Sequence, residues 1–443
     1  MSTTNLDEQN KEFSKAIDLM DNSDNHIFLT GEAGTGKSTL LKNYVASTFK
    51  DVVVLAPTGL AAINARGQTI HKFCLLPPRF ILPEDVQVTK NPVQKKLIKN
   101  IQTIIIDEVS MVRADQMDAI DRFLRINRGK NIPFGGVQMI FVGDLFQLPP
   151  VVRREDSSFF NQLYSSPYFF SAPSFSNLNI RHIELTKNYR QINDQDFLRI
   201  LNQVKQGLIS DALLGVINSR FVSTSETGQE NYINLTSTNQ LAYSINTHKL
   251  GLLKAPEIMY QAVIEGDFRA RDCQAEELLI LKEQAHIMFI RNDSQGRWVN
   301  GTTGIVTKLD DQTIVVRLDS GKEYEVEPEK WENIKFVYNE EENRVESKVL
   351  GSMTQYPVKL AWAVTIHKSQ GQTFDQVMID LGRGAFSHGQ TYVALSRSRT
   401  LKGIRLKRKL SRSDFIVDQR VVSFMKSIQT KAALSHKNGR KTQ

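Results

Sequence analysis

His26-Ile-Phe-Leu-Thr-Gly31-Glu-Ala-Gly-Thr-Gly36-Lys-Ser38 is the stretch from which the fold can be read. A short apolar run leads into a glycine-rich turn that fits G-x-x-x-x-G-K-[ST], and a helical pattern follows it. Strand, tight turn and helix in that order aim backbone N–H groups and the positive end of a helix at one point, which suits a phosphate. Gly31, Gly34, Thr35 and Gly36 form the cradle, Lys37 reaches toward the β and γ phosphates, and Ser38 offers a hydroxyl to Mg²⁺. The cofactors expected from this turn are therefore ATP and Mg²⁺.

Working outward, the apolar runs 26–30, 52–57, 103–107 and 138–144 read as buried parallel strands, each ending in polar chemistry, with helical patterns between them. The third run, Ile104-Ile-Ile-Asp-Glu108, ends in two carboxylates: Asp107 is suited to the Mg²⁺ shell and Glu108 to polarising an attacking water. The fourth continues as Gly143-Asp-Leu-Phe-Gln147, which makes Gln147 a candidate γ-phosphate sensor. A later set, 180–185, 232–236, 376–380 and 403–407, predicts a second α/β lobe. Within that set, 278–349 is broken into short β-rich segments by turns, and predicts a small inserted β-barrel with an exposed acidic loop at 339–343. Thr-Ile-His-Lys occurs at both Thr69 and Thr365, a coincidence a chain of this length should show about once, so no repeat is inferred.

A chain of 443 residues, 40% of them hydrophobic, can bury at least two cores. No run of eighteen apolar residues occurs, and the N-terminus lacks a signal-peptide pattern, so no membrane association and a cytoplasmic setting are expected. Cys74 and Cys273 are the only cysteines, too few for a zinc cluster or a disulfide framework. The net charge of +8 comes from the C-terminal segment: from Leu401 onward 12 Lys and Arg face 2 acidic residues, which leaves the preceding 400 residues at −2. Net charge alone therefore does not point to nucleic acid. The motifs carry that inference.

GEAGTGKS, LAPTGLAA, GQTIHKF, IIIDEVSM, GDLFQLPPV, LTKNYRQ, LAWAVTIHKSQGQT and QTYVALSRSR occur in the order of superfamily-one DNA helicase motifs. The chain most resembles the petite integration frequency (PIF) helicases, with RecD-like and phage Dda helicases more distant. Residues 117–136, ending in Pro133-Phe-Gly-Gly136, also resemble a signature of those helicases. The resemblance implies two RecA-like P-loop NTPase lobes, a small wedge inserted in the first and an SH3-type β-barrel inserted in the second. It assigns 1–175 to lobe 1 with the wedge near 72–92, 176–240 and 353–430 to lobe 2, 241–352 to the insertion, and 431–443 to a basic tail. It implies an ATP-dependent 5′-to-3′ DNA helicase that translocates on single-stranded DNA and unwinds duplex, and extends to G-quadruplex or RNA–DNA hybrid junctions. A monomeric bacterial or phage minimal form is expected.

Residue by residue, the resemblance gives Gln9 the reading of adenine and makes Arg190 and Arg397 γ-phosphate arginines. Thr39 and Gly371 join the nucleotide site. Pro57, Thr58, His71, Thr238, Asn239, His367 and Lys368 fall at DNA-facing positions. Two departures stand out: Leu75 and Leu76 lie where relatives often have a glycine, and Tyr189 where phenylalanine is common. In the proline-rich excursion 75–83, Arg79 and Phe80 pair a cation with a ring suited to meeting an opening base pair, and Phe80 is counted with the DNA contacts; the equal alternative is that Phe80 and Ile81 fold this loop onto the lobe. The competing readings are an RNA-directed translocase and a P-loop ATPase that remodels protein or acts as a switch. A switch needs no second lobe with arginines, and an ATPase stimulated more by RNA than by DNA would identify the translocase.

Overall fold

The computed structural model describes residues 7, 10–153, 155–223, 232–269, 273–318, 320–342 and 344–439, with side chains as far as 430. They form two compact units. One comprises Met1–Tyr189, Glu332–Leu350 and Asp418–Gln443, and the other Arg190–Trp331 and Gly351–Val417.

The first unit is built on one parallel sheet. Its strands are β1 (His26–Gly31), β2 (Val52–Ala56), β3 (Gln68–Thr69), β4 (Thr103–Ile106), β5 (Gln138–Gly143) and β6 (Ile180–Leu185), in the order β3-β2-β4-β5-β1-β6. β4 and β5 are buried along their whole length, which is why their sequences run apolar without alternation. On one face, Phe13, Ala16 and Met20 of helix Lys11–Asn22 and Leu40, Leu41 and Tyr44 of helix Lys37–Ser47 close over Ile27, Leu29, Ile105, Ile140 and Val142.

The sequence reading placed 180–185 in the second lobe, and the structure corrects it. β6 pairs with β1 in parallel, His26 opposite Ile180 through Gly31 opposite Leu185, so the first unit runs on to Tyr189 rather than ending at 175. A half-exposed edge strand carries no local signal for which sheet it joins. The end of the chain needs the same correction. Helix Gln419–Gly439 belongs to the first unit, where the Phe424 ring stacks on Phe170 at 4.1 Å and meets Phe28, Phe169 and Phe175. Residues 440–443 of the expected basic tail, and the side chains from Lys431 onward, lie outside the described residues.

The second unit opens with β7 (Ile233–Thr236). The chain then leaves through β8 (Ile258–Gln261), β9 (Val263–Gly266), β10 (Leu278–Leu281), β11 (His286–Phe289), β12 (Thr303–Leu309), β13 (Ile314–Leu318), β14 (Glu323–Val326), β15 (Glu329–Asn339), β16 (Arg344–Gln355) and β17 (Val358–Leu360). It returns as β18 (Ala363–Thr365), β19 (Val377–Asp380) and β20 (Ile404–Leu406), which complete a parallel sheet in the order β18-β7-β19-β20. In the insertion, β14-β13-β12-β11-β17 form an antiparallel sheet around Phe289, Trp298, Val306, Ile314, Val316 and Val358. β15, β16 and β9 make a further sheet.

The insertion is not one body over 241–352. The outer part of β15 and β16, Glu332–Leu350, belongs to the first unit. There Gln68 Nε2 donates to the Ile334 carbonyl at 3.1 Å, Lys72 Nζ to Asn333 Oδ1 at 3.0 Å, and the Val345 N–H to Asp51 Oδ1 at 2.7 Å. Residues 339–342 of the acidic stretch mark the turn of this ribbon, with Glu340 paired to Lys96, and Asn343 lies outside the described residues. Among the described residues no helix is long and apolar enough to cross a membrane, and Cys74 and Cys273 are both free thiols.

Candidate nucleotide and nucleic-acid sites

β1 delivers the chain to the glycine-rich turn at Gly31, and helix Lys37–Ser47 takes it away. Gly36 stands at φ 84°, and a Cβ there would come within 2.9 Å of Phe13 Cζ, so glycine is required both by conformation and by space. Lys37 Nζ donates to the carbonyls of Gly31 and Glu32 at 2.7 and 2.9 Å, and Thr35 Oγ1 donates to that of Glu32 at 2.9 Å. Ser38 and Thr39 follow in the first turn of the helix. The turn is clamped from outside: Asn188 Nδ2 donates to the Ala33 carbonyl at 3.1 Å and the Tyr189 N–H to that of Gly34 at 2.9 Å. The Tyr189 hydroxyl donates to Asp7 at 2.7 Å and accepts from Asn10 at 3.0 Å, which gives the tyrosine work that a phenylalanine could not do. Sequence reasoning took only Arg190 from LTKNYRQ and missed this clamp. The available signal was an amide and a hydroxyl directly before the arginine.

Asp107 and Glu108 leave the carboxyl end of β4. Burial raises the Asp107 pKa, and the backbone N–H of Glu108, then Lys37 and Lys42, pull the other way. Glu108 sits at φ 51°, in the left-handed region, and its N–H donates to Asp107 Oδ1 at 2.9 Å. Such a conformation costs a side-chain-bearing residue about 1–3 kcal/mol, a strain typical of working sites. Gln147 is buried, with its Nε2 3.2 Å from Asp144 Oδ2. The set fits Mg²⁺. Asp107 is a half-buried carboxylate whose charge Lys37 and Lys42 already favour, as a metal ion would, and Ser38 is an exposed hydroxyl at the helix start. Mg²⁺ takes few protein ligands and completes its shell with phosphate and water.

In the second unit the structure brings the two expected arginines together. Arg190 Nη1 donates to the Ser396 carbonyl at 3.0 Å, and Arg397 Nη2 to Ser396 Oγ at 2.8 Å. Burial, and then the charge of Arg397, lower the Arg190 pKa well below its ordinary value. A half-buried and a buried like charge this close repel unless an anion joins them. Arg397 is 1% exposed and its Nη1 also donates to the carbonyls of Ser369 and Gln372, so it braces the turn that holds Gly371.

The DNA-facing candidates lie at the carboxyl ends of strands. Thr58 follows β2 and caps helix Gly59–Asn64 by accepting from the Ala61 N–H at 3.2 Å, with Pro57 just before it. Thr238 follows β7 and caps helix Asn239–Gly251 in the same way from Leu241. Both threonines therefore have a structural role of their own. Thr238, Asn239 and Lys368 are exposed, while His71 and His367 are half-buried and burial lowers the pKa of each. Gln9 lies outside the described residues.

Phe80 requires a correction. Its ring is 6% exposed and meets Phe159 and Phe160 edge-on at 5.2 and 5.6 Å, and Arg79 is paired with Asp85 at 2.6 Å. The phenylalanine folds the excursion onto the sheet domain and leaves no ring free for a base pair. Leu75 is an exposed apolar side chain of the excursion, at 57%, and is held at φ 58°. A positive φ is the physical reason a glycine would suit this place.

The stretch 117–136 also has a physical reading. Helix Ala114–Arg128 ends at left-handed Gly129, and Phe134, Gly135 and Gly136 all take positive φ, which folds the chain back onto the helix. Asp121 accepts the Phe134 N–H, Arg128 Nε donates to the Gly135 carbonyl at 2.8 Å, and the buried Phe134 ring braces His26 of β1 and Phe141 of β5. The signature supports the sheet that carries the nucleotide turn.

Comparison with known proteins agrees with this geometry. A family model described as PIF1-like helicase matches residues 5–213. The ATP-dependent DNA helicase Pif1 of Bdellovibrio bacteriovorus is 32% identical over 435 residues, 95% of this chain and 92% of that one. The crystal structure of Bacteroides sp. Pif1 with ADP-AlF4 is 36% identical and superposes with a TM-score of 0.89 over 95% of this chain and 97% of that one. The Bacteroides helicase in complex with ADP-AlF3 and single-stranded DNA, at 36% identity and the same coverage, gives 0.66.

Proposed function

This chain belongs to the PIF1-like helicase family and is an ATP-dependent DNA helicase acting on single-stranded DNA, and we propose that it moves 5′ to 3′ by coupling the two ends of one parallel sheet edge. One observation carries the coupling. Thr58 and Glu108 leave β2 and β4, which are adjacent and paired Leu55 opposite Ile106, and the Asp107 N–H donates to the Leu55 carbonyl at 2.9 Å. A change in charge at the nucleotide thus lies one hydrogen bond from the strand that ends at a DNA-facing residue.

In this reading Lys37 holds the β and γ phosphates, Ser38 and Asp107 hold Mg²⁺, Glu108 orients water and Gln147 senses the γ-phosphate. Arg190 and Arg397 supply the positive charge that the transferring phosphoryl group needs, which the repulsion between them supports. Pro57, Thr58, His71, Thr238, Asn239, His367 and Lys368 track the strand. The curled antiparallel sheet of the insertion, with Trp298 stacked on Phe289, is read as the SH3-type barrel. The excursion near 72–92 is read as the wedge, its working side chain Leu75 in place of Phe80. Duplex and G-quadruplex junctions are the proposed substrates ahead of the motor, and one copy is the proposed working unit.

Duplexes carrying a single-stranded tail at only the 5′ or only the 3′ side test the direction. Unwinding of the 5′-tailed duplex with ATP, and not of its mirror, is expected, and preference for the 3′ tail would overturn the polarity.

A further inference from the structure

We infer that Phe386, on the loop 381–389, is a stacking platform for a nucleobase of the single strand, an inference that rests on the helicase reading above. The Phe386 side chain is 63% exposed, and among the described residues it makes no ring contact. An exposed phenylalanine on a loose loop would mean little. This loop is fixed at nearly every residue. The Gly382 N–H donates to Asp380 Oδ1 at 2.9 Å, Gly384 to the Leu381 carbonyl at 3.0 Å, Ala385 to Asp414 Oδ1 at 3.1 Å, Phe386 to Gln390 Oε1 at 3.0 Å and Gly389 to the Ile416 carbonyl at 3.1 Å. Arg408 Nε donates to the Gly382 carbonyl at 3.0 Å. Gly382 and Gly389 take φ of 57° and 70°, which lets the chain make its tight bends. The ring is held out in water by a preorganised frame, the arrangement that loses least entropy when a flat ligand lands on it.

Position and charge identify the ligand. The loop leaves the carboxyl end of β19, whose last residue, Asp380, is registered against Thr236 of β7. A Cβ on Gly382 would lie 3.8 Å from Ser237 Oγ, so the loop borders the turn that presents Thr238 and Asn239. Arg383, three residues before the phenylalanine, is exposed and forms no ion pair among the described residues. An exposed cation and an exposed ring three residues apart on one loop are the two groups one nucleotide calls for, phosphate to arginine and base to phenylalanine. Every base has a π face, so the contact is blind to sequence, as a translocating motor requires.

The test measures binding of the full chain to an oligothymidylate of about 12 nucleotides and to an equally long strand of abasic sites. Phe386→Ala should weaken oligothymidylate binding about tenfold, and Phe386→Tyr should restore it. The slope of affinity against salt should not change, because no charge is removed. On the abasic strand Phe386→Ala and the wild type should bind alike. Equal binding of oligothymidylate by Phe386→Ala and wild type, or an equal loss on both strands, would overturn the stacking role. If the wild-type ATPase ignores oligothymidylate altogether, the helicase reading itself fails. Stimulation of the wild type, with no change in Phe386→Ala, removes only this inference.

Discussion

Lys37 opens the helix after β1 and Glu108 lies in the turn after β4, and the two act at different moments, so their variants should separate. Glu108→Gln keeps the charge that binds phosphate and should retain ATP while losing turnover, whereas Lys37→Ala should lose both, as nucleotide-binding and single-turnover assays would show. Wild-type turnover in a folded Glu108→Gln protein would remove Glu108 from the mechanism. Phe80 now belongs to stability. Truncating a ring this buried costs about 3–5 kcal/mol, so Phe80→Ala should lower the melting temperature and, below it, leave the ratio of unwinding to translocation unchanged. A selective loss of unwinding at full stability would return Phe80 to the DNA. Leu75→Gly should do the reverse and stabilise slightly, because the left-handed backbone strain of about 1–2 kcal/mol is relieved and little burial is lost. A fall in melting temperature would contradict that. At this scale the sequence was informative wherever chemistry dictates residue type, as at Lys37 or Asp107. It was silent where two roles share one type, because an aromatic ring in a proline-rich loop suits a core and a base pair equally.

Among elements, the strand runs of the first sheet were legible because burial on both faces leaves an unbroken apolar signature. The fate of β6 and of helix Gln419–Gly439 was not, since each is half-exposed and its partners lie far along the chain. The ribbon of β15 and β16 was hidden for the same reason, and its acidic turn read only as a loop. The repeated Thr-Ile-His-Lys marks a common local device. Thr69 and Thr365 each end an edge strand of a parallel sheet, and each accepts at 3.3 Å from the N–H three residues on. The C-terminal helix gives a direct prediction: Phe424→Ala should destabilise the first unit, and truncation before Asp418 should expose Phe28, Phe169 and Phe170 and increase dye binding to apolar surface. A truncated chain that melts like the full one would show that the helix contributes nothing. The loop 381–389 depends on Asp414. Burial alone would raise its pKa, but Arg408 and the N–H groups of Ser411 and Ala385 hold it down at about 2. A depressed carboxylate stabilises the fold above its unfolded value near 3.9, and that stability is lost as pH falls toward the folded value. Asp414→Asn should therefore cost about 2–3 kcal/mol at pH 7, with the gap narrowing below about pH 4. A gap that does not change with pH would mean that the charge is not what Asp414 contributes.

For the whole molecule, the central claim is that hydrolysis and strand contact are one process, because Thr58 and Glu108 follow the adjacent strands β2 and β4 and because Arg190 and Arg397 both bond Ser396. The sequence revealed the parts of this machine, while the adjacency of those parts came only from sheet order, which no local pattern encodes. Steady-state ATP hydrolysis by the full chain, with and without single-stranded DNA, tests the claim most directly. The account predicts a rate that rises severalfold with the strand and collapses to background in Glu108→Gln. A wild-type rate indifferent to single-stranded DNA would contradict it.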